Sequence, residues 1–333
     1  MAFLVFALAG CAAKAPEKKK IKIGVTLYDQ YDTFIAQMMD AFNKDVFEKT
    51  SKGTEISVKS YNAAGSQQTQ NEQVKEMIGS GCDVLCVNLV DRTAPTEIID
   101  AARNADIPII FFNRELVEED LMQWNRLYYV GADAMESGIM QGEIAAVLCK
   151  TSTVDRNHDS LIQYIVLEGE AGHQDAIVRS EYSVSRLIQE NVRLDKVGYA
   201  IANWDRAQAQ TKMAQFIAEK GDKIELVLAN NDDMALGAID AYQAAKIERK
   251  NWPAIIGIDG TDVGLDAIAN GTMMGTVYND KEGQAKAIVE LACRLAEGGS
   301  LDDLGLTDGK YIRLPYTKVT AANAASFMKP ETD

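Results

Sequence analysis

Short apolar runs rich in β-branched residues alternate along this chain with segments whose apolar residues have helical spacing. The runs cover 21–27, 55–61, 82–90, 107–112, 127–132, 161–169, 197–202, 224–230, 254–260 and 275–279. Continuous apolar strands between helices indicate parallel sheets covered on both faces. Ten strands are too many for one compact doubly wound sheet in a chain of 333 residues. The sequence therefore predicts an α/β protein with two doubly wound parallel-sheet lobes.

The first twenty residues fit neither lobe. Residues 2–9 are almost wholly apolar, and Leu8-Ala9-Gly10-Cys11 resembles a bacterial lipobox. The apolar run is far shorter than the ~20 residues of a spanning helix, so residues 1–20 are predicted to be a lipoprotein signal and tether. Lipid on Cys11 would anchor the protein outside the cytoplasmic membrane, in a periplasm or at a cell surface. A buried N-terminal strand is the alternative.

Composition and missing motifs exclude several classes of function. The chain has 34 Lys and Arg against 49 Asp and Glu, a net charge of −15, which argues against a nucleic-acid partner. No Gly-x-Gly-x-x-Gly follows a strand and no Walker motif occurs, so the usual phosphate cradle of nucleotide-binding proteins is missing. Cys82 and Cys86 are interpreted as small buried hydrophobic side chains, because no CxxC or Cys/His cluster exists.

Polar and aromatic side chains gather directly after the predicted strands, which is where ligands bind in lobes of this kind. The candidate binding residues are Asp32, Phe34, Asn113, His173, Asp175, Arg179, Trp204, Asn231, Asp259 and Asn279. Taken singly, each is explained as a helix cap or a turn former. Seven strand ends in two lobes that share one chemistry instead indicate a binding site.

That chemistry suits a sugar. Hydroxyl groups both donate and accept hydrogen bonds, and the forked side chains of Asp, Asn and Arg can satisfy two neighbouring hydroxyls at once. Phe34 and Trp204 can stack on the apolar C–H faces of a pyranose ring. Carboxylates, guanidinium groups and neutral amides are mixed at the strand ends, whereas a charged ligand would want an uncompensated cluster of one sign.

A second candidate site is visible from spacing alone. Oxygen donors stand at positions 1, 3, 5, 7 and 9 of an EF-hand-like loop, namely Asp155, Asn157, Asp159, Leu161 (through its carbonyl) and Gln163. Ser160 occupies the position that usually holds glycine, and Val166 the position of the bidentate glutamate, so a general EF-hand pattern rejects the loop. A polar turn before a strand is the alternative.

Nine motifs, in chain order, resemble those of bacterial galactose/glucose-binding proteins, which are type 1 periplasmic binding proteins. They are VTLYDQYDTF, NLVDRTAP, IPIIFFNRE, YYVGADAMESGIMQG, EGEAGHQDA, ANWDRAQA, LANNDDMALGA, IGIDG and GTVYND. The resemblance extends over roughly residues 21–320. It implies a monomeric extracytoplasmic receptor that closes by hinge motion on D-glucose or D-galactose. The implied partners are the membrane permease and ATPase of an ABC sugar transporter, with a chemoreceptor as a further partner.

The resemblance also assigns roles to residues. It implies that the ten candidate residues contact the sugar, with Phe34 and Trp204 sandwiching the ring. It divides the chain into an N-terminal lobe of 21–131 plus 280–313 and a C-terminal lobe of 132–279 plus 314–329, joined by a three-segment hinge. It supplies Glu225 as the bidentate ligand that the loop at 155–163 lacks, so a structural Ca²⁺ is expected.

Three other functions can be weighed on the sequence. A receptor for another monosaccharide would differ only in its ligand. A glycosidase would use Asp32 and Asp175 as its carboxyl pair, but it needs one carboxyl with a raised pKa, and Arg179 is expected to keep Asp175 ionised. A transcription regulator of the same fold would carry a helix-turn-helix, which residues 1–20 are too short and too apolar to form. The prediction is therefore a receptor that is not an enzyme.

Overall fold

The computed structural model describes residues 20–151 and 153–328. Residues 1–19, with Cys11 and most of the predicted signal and tether, lie outside the described residues. Residue 329, the predicted last residue of the second lobe, lies outside them too. None of the described helices is both long enough and apolar enough to cross a membrane.

The described chain alternates strands and helices, as the apolar periodicity predicts. The first part contains β1 (Lys20–Leu27), α1 (Thr33–Ser51), β2 (Glu55–Asn62), α2 (Gln67–Gly79), β3 (Val84–Val87), α3 (Thr96–Asn104), β4 (Ile109–Phe112), α4 (Glu118–Leu121) and β5 (Leu127–Gly131). The second contains α5 (Ala134–Cys149), β6 (Ile162–Glu168), α6 (Gln174–Gln189), β7 (Leu194–Ile201), α7 (Arg206–Lys220), β8 (Leu226–Ala229), α8 (Asp232–Ala244), β9 (Ala254–Ile256), α9 (Asp262–Ala269) and β10 (Gly275–Asn279). The last contains α10 (Lys281–Glu297), β11 (Tyr311–Arg313) and β12 (Tyr316–Thr320). Short 3₁₀ turns lie at Gly221–Lys223, Arg249–Asn251, Asp302–Leu304 and Ala324–Ser326.

The strands form two six-stranded sheets, one in each lobe. Their orders are β11-β5-β4-β3-β1-β2 and β12-β10-β9-β8-β6-β7. The chain passes between the sheets three times, after β5, after β10 and between β11 and β12, so the predicted architecture of two doubly wound lobes with a three-segment connection is confirmed.

The prediction of wholly parallel sheets needs one correction, because β12 pairs antiparallel with β10. The sequence analysis also did not predict β11 and β12. They are short edge strands with exposed or half-exposed positions, so they lack the apolar run that identifies an inner strand. All ten predicted strands are present.

Each sheet is covered by helices on both faces. In the first lobe α1 and α10 pack on one face and α2 and α3 on the other. In the second lobe α7, α8 and α9 pack on one face and α5 and α6 on the other. The inner strands β3, β4, β5, β6 and β8 are buried along their whole length. Cys82 and Cys86 are free and buried, as predicted.

A buried carboxylate joins three elements of the second lobe. Asp232 is fully buried, and its Oδ2 accepts hydrogen bonds from the Thr261 backbone N–H (2.8 Å) and hydroxyl (3.2 Å). Its Oδ1 accepts from the Thr276 hydroxyl at 2.6 Å. A Cβ atom on Gly257 or Gly264 would lie 2.2 or 2.3 Å from the carboxylate oxygens, so both positions need glycine. Burial raises the pKa of Asp232 to about 7, although these hydrogen bonds oppose the rise.

The pH dependence of folding stability should therefore carry a signature of Asp232. Its folded pKa of about 7 exceeds its ordinary value of 3.8, so its stabilising contribution is full below 3.8 and is lost as the pH rises through 7. Relative to Asp232→Asn, the wild type should lose unfolding free energy between pH 4 and pH 7. Urea unfolding at several pH values measures this difference.

Asp266→Asn, which alters an exposed carboxylate on α9, is the matched control. If the difference in unfolding free energy between wild type and Asp232→Asn stays constant over this pH range, folding does not raise the pKa of the Asp232 carboxyl.

Candidate functional site

A cleft lies between the two lobes at the carboxyl ends of the strands. Nine of the ten candidate residues line it together, namely Asp32, Phe34, Asn113, His173, Asp175, Arg179, Trp204, Asn231 and Asp259. The empty space between these side chains is about 350 Å³, part of which is open to solvent.

The tenth residue, Asn279, is not among the side chains that line the cleft. It is buried, and its Oδ1 accepts a hydrogen bond from Gln284 Nε2 at 2.6 Å. Its backbone N–H donates to the carbonyl of Asp259 at 3.0 Å. The structure thus places Asn279 in contact with the loop that carries Asp259, at the point where β10 ends.

The guanidinium of Arg179 lies at the centre of the side chains that the second lobe contributes to the cleft. Its side chain is only 4% exposed. It donates to the carbonyl of Asn230 (2.9 Å) and to the hydroxyl of Tyr316 (3.1 Å). Asp259 and Asp175 lie 3.5 and 3.7 Å away. Burial opposes the charge, but Tyr316 and the two carboxylates together raise the pKa of Arg179.

One donor of this guanidinium is left over. The Nε atom of Arg179 is buried and has no hydrogen-bond partner within the part of the chain that the structure describes. Buried polar groups are normally hydrogen-bonded, so a ligand oxygen is a candidate partner for this atom.

For Asp175, the attraction of Arg179 is present as expected, and burial acts against it. Burial raises the pKa of Asp175, and the attraction of Arg179 only partly offsets it. Burial likewise raises the pKa of Asp259 well above its ordinary value, with Arg179 again opposing. The expectation counted the attraction between opposite charges and left out the loss of water around the carboxylates.

His173 is held as a neutral hydrogen-bond donor. It caps α6, and its Nδ1 accepts from the backbone N–H of Asp175 at 3.1 Å, which assigns the ring proton to Nε2. Burial lowers the pKa of His173 well below 6.5, and the positive charges of Arg114 and Arg179 lower it further. The ring meets Trp204 edge-on, with 5.2 Å between centroids.

Trp204 sits on a strained turn. Asn203 and Trp204 have φ values of 51° and 63° directly after β7, a region that non-glycine residues rarely adopt. A Cβ on Gly169 would lie 2.3 Å from the indole ring, so glycine makes room for it. Asn231 Nδ2 donates to the Trp204 carbonyl at 3.3 Å. Strain of this kind is concentrated at functional sites, where neighbouring contacts maintain it.

On the first lobe, Asp32 caps α1 and faces the cleft. Its Oδ1 accepts from the Ile35 N–H at 2.9 Å, and its Oδ2 accepts from the Tyr28 hydroxyl at 2.5 Å. The sequence analysis did not choose Tyr28 and Arg114, yet both line the cleft, and the guanidinium of Arg114 lies 3.6 Å from the centre of the Tyr28 ring. Their positions directly after β1 and β4 are the sequence feature that could have identified them as cleft residues.

The lobes also contact each other directly around the cleft. The bridging pairs include Thr33 Oγ1 to Asp233 Oδ2 (2.5 Å), the Asp262 N–H to Gln37 Oε1 (3.3 Å) and Arg114 Nη2 to Glu170 Oε2 (2.8 Å). Each pair joins a loop or helix start of one lobe to that of the other. The structure is therefore that of a closed cleft.

The candidate metal loop lies before β6 and contacts the residue predicted from the resemblance. Glu225 Oε1 accepts from the Arg156 N–H at 2.6 Å, and its Oε2 accepts from the Gln163 N–H at 3.2 Å. Asn157 Nδ2 donates to Asp159 Oδ2 (3.1 Å) and to Gln163 Oε1 (2.9 Å). Five of the six candidate ligands thus belong to one hydrogen-bonded unit, which Leu161 joins through its N–H to Asp159 Oδ1 (2.8 Å), whereas Asp155 Oδ2 accepts from the Ser160 N–H (3.0 Å).

The donor set of this loop fits a hard cation. The candidate ligands all supply oxygen, and Asp155 Oδ1 is buried without a hydrogen-bond partner among the described residues. The side chains contact each other rather than a common centre, and residues 20–151 and 153–328 contain no His, Cys, Asp or Glu cluster already arranged to hold a metal. Ser160 has a φ of 63°, so it occupies the glycine position at a cost in backbone strain.

Comparisons with known proteins agree with this architecture. Residues 23–300 match the family described as periplasmic binding protein domain. The D-galactose/methyl-galactoside binding periplasmic protein MglB of Haemophilus influenzae is 34% identical over 331 residues, which cover 98% of this chain and 97% of the relative. A putative rhizopine-binding protein of Rhizobium meliloti is 29% identical over 300 residues, or 90% of this chain and 89% of the relative.

Among solved structures, an ABC transporter solute binding protein from Bacillus halodurans C-125 with bound myo-inositol superposes with a TM-score of 0.77. Its sequence identity is 28%, and the match covers 94% of this chain and 99% of that one. The resemblance seen in the nine sequence motifs is thereby confirmed. The chain belongs to the periplasmic binding protein domain family.

Proposed function

We propose that this protein is an extracytoplasmic receptor that binds D-glucose or D-galactose in the cleft and delivers it to an ABC sugar permease. The observation that carries the proposal is the convergence of nine candidate sugar contacts from both lobes on one small cleft. The 34% identity to a D-galactose/methyl-galactoside binding protein supports the hexose. An extracytoplasmic location follows from the family, and lipid anchoring through Cys11 is part of the proposal.

The available atoms suit a polyhydroxylated neutral ligand. Asp259 and Asp175 offer oxygens to hydroxyl hydrogens, while His173 Nε2 and Arg179 Nε offer donors to hydroxyl oxygens. Trp204 provides an apolar surface for a ring face. Buried, oriented partners of this kind make a hydroxyl group in the wrong place costly, because it would leave one of them unpaired.

Closure of the cleft would couple binding to delivery. A sugar that contacts both lobes stabilises the closed state by its higher affinity for that state, which is a shift of populations. The direct lobe-to-lobe pairs, such as Thr33 with Asp233, would add to that stability. The permease and its ATPase would supply the energy for transport.

A receptor for another polyol is the second candidate. The Bacillus halodurans structure contains myo-inositol, and the Rhizobium meliloti relative is named for rhizopine. The same mixture of carboxylates, amides and arginine could bind a cyclitol. Titration with both kinds of ligand therefore identifies the one that this protein binds.

Isothermal titration of the protein, unfolded and refolded to remove bound sugar, should show one-to-one binding of glucose or galactose. Ribose, xylose and myo-inositol, titrated in parallel, should bind more weakly. Tight binding of myo-inositol alone would support a receptor function but show that its ligand is a cyclitol and not a hexose. Silence with all five ligands, or hydrolysis of nitrophenyl hexosides, would contradict the proposed receptor.

Trp204→Ala should lower hexose affinity by about 2–4 kcal/mol, because a large stacking surface is lost. Calorimetry on the variant measures the loss. Phe47→Ala removes an aromatic ring that is 74% exposed on α1 and serves as the control. Unchanged affinity in Trp204→Ala would remove this residue from the sugar site.

We also propose that the loop at 155–163 holds a structural Ca²⁺ together with Glu225. Adding Ca²⁺ to metal-free protein should raise the melting temperature, by the equivalent of about 2.7 kcal/mol at a hundred times the dissociation constant. Sugar specificity should not change. Glu225→Gln should reduce the rise in melting temperature on adding Ca²⁺. A melting temperature that changes with neither Ca²⁺ nor chelator would refute the metal site.

A further inference from the structure

Lys281 is a lysine buried at a crossing between the lobes. It is the first residue of α10, and its side chain is 1% exposed. Its Nζ donates to the carbonyl of Gly260 at 3.1 Å and lies 4.8 Å from the centre of the Tyr278 ring. The nearest carboxylates, Asp262 and Glu282, are 3.7 and 4.0 Å away.

Stability alone does not account for a lysine here. A buried ammonium loses its water, and carboxylates at these distances repay that loss only in part. An apolar side chain of similar length would fill the same space without desolvating a charge. The hydrogen bond to the Gly260 carbonyl, the Tyr278 ring and the two carboxylates all distinguish lysine from such a side chain, and of these the hydrogen bond is the one that holds the backbone of the loop after β9.

Gly260 directly follows a cleft residue held in an unusual conformation. Asp259 has a φ of 116° and Gly260 a φ of 65°, so two consecutive residues have positive φ. Asp259 is not glycine, and this backbone conformation must be imposed by its surroundings. Its N–H donates to the Val277 carbonyl (2.8 Å), and its carbonyl accepts from the Asn279 N–H (3.0 Å). Gly260 itself is held on both sides, because its N–H donates to the Thr276 hydroxyl (3.3 Å) and its carbonyl accepts the bond from Lys281.

This restraint comes from the opposite lobe. The helix α10 packs on α1 and on the sheet of the first lobe, whereas Asp259 and Gly260 follow β9 of the second. A second residue of the first lobe, Gln37 on α1, accepts a hydrogen bond from the Asp262 N–H in the same loop. The loop that carries Asp259 is thus held from both lobes.

We propose that Lys281 is a positioning residue for Asp259. By fixing the Gly260 carbonyl from α10, it keeps the Asp259 carboxylate turned toward Arg179 and the cleft, and so contributes to sugar affinity across the lobe boundary. This inference rests on the proposed function. It makes the cleft of the second lobe depend on a residue that belongs to the first.

Lys281→Met should lower the affinity for the bound hexose about tenfold, which corresponds to the ~1.4 kcal/mol of one hydrogen bond from a charged donor. The melting temperature should change little, because the buried charge is removed together with its bond. Lys281→Arg restores a charged donor and should recover most of the affinity. Lys286→Met alters an exposed lysine on the same helix and is the matched control.

A double-mutant cycle separates positioning from a general effect on the fold. If Lys281 acts through Asp259, Lys281→Met should cost no further affinity in an Asp259→Asn background. Equal losses in both backgrounds would overturn the proposal, as would wild-type affinity in Lys281→Met.

The outcomes remain distinguishable from a failure of the proposed function. A wild type that binds none of the sugars refutes the receptor itself, whereas a wild type that binds makes the Lys281 variants decisive. If Lys281→Met does not fold, Lys281→Leu takes its place. Loss of folding in both would contradict the proposal, because it assigns the lysine to affinity and not to stability.

Discussion

The buried guanidinium of Arg179 is the constraint around which the cleft is built. A charge removed from water is destabilising unless it is surrounded by hydrogen-bond acceptors and opposite charge. Its partners come from separate elements: Asp175 from α6, the Asn230 carbonyl from the end of β8, Asp259 from the end of β9 and Tyr316 from β12. Satisfying one arginine therefore fixes several loops relative to each other, and those loops form the floor of the cleft in the second lobe.

The electrostatic character of the cleft follows from burial as much as from its charges. Burial raises the pKa of Asp175 and of Asp259 and lowers that of His173. Each shift disfavours a net charge on the group concerned. The cleft thus presents closely spaced donors and acceptors, and burial penalises any uncompensated charge among them, which suits hydroxyl groups better than an ion.

The parts of this architecture that depend on buried apolar runs could be predicted from the sequence. Strands β1 to β10, and nine of the ten residues proposed to line the cleft, follow from apolar periodicity, strand ends and a family resemblance. Features that depend on long-range contacts could not. The edge strands β11 and β12 are too short and too exposed to give a pattern. Asn279 ends a strand like its neighbours, and only the fold shows that its amide is turned to Gln284.

Lys281 is a further residue whose contacts with distant parts of the chain could not be predicted from the sequence. A lysine at the start of a helix is normally a solvated residue, and nothing in its local sequence shows that two lobes bury it. The raised pKa of Asp175 was missed for a related reason, because desolvation is a property of the whole environment and not of sequence neighbours. Local sequence predicts which chemical groups are present at a site, whereas the depth at which they are buried shifts their pKa values.

The strand order has a consequence for how the chain can fold. Tyr311 of β11 pairs with Tyr129 of β5, so the first sheet receives its last strand only after the second lobe has been traversed. The antiparallel β12 then completes the second sheet within a few residues. Pairings across so long a separation form late, because their loop-closure entropy is large. Residues 311–320 thus complete both lobes almost together, and their folding should be cooperative, with neither lobe reaching its full stability before this segment is in place.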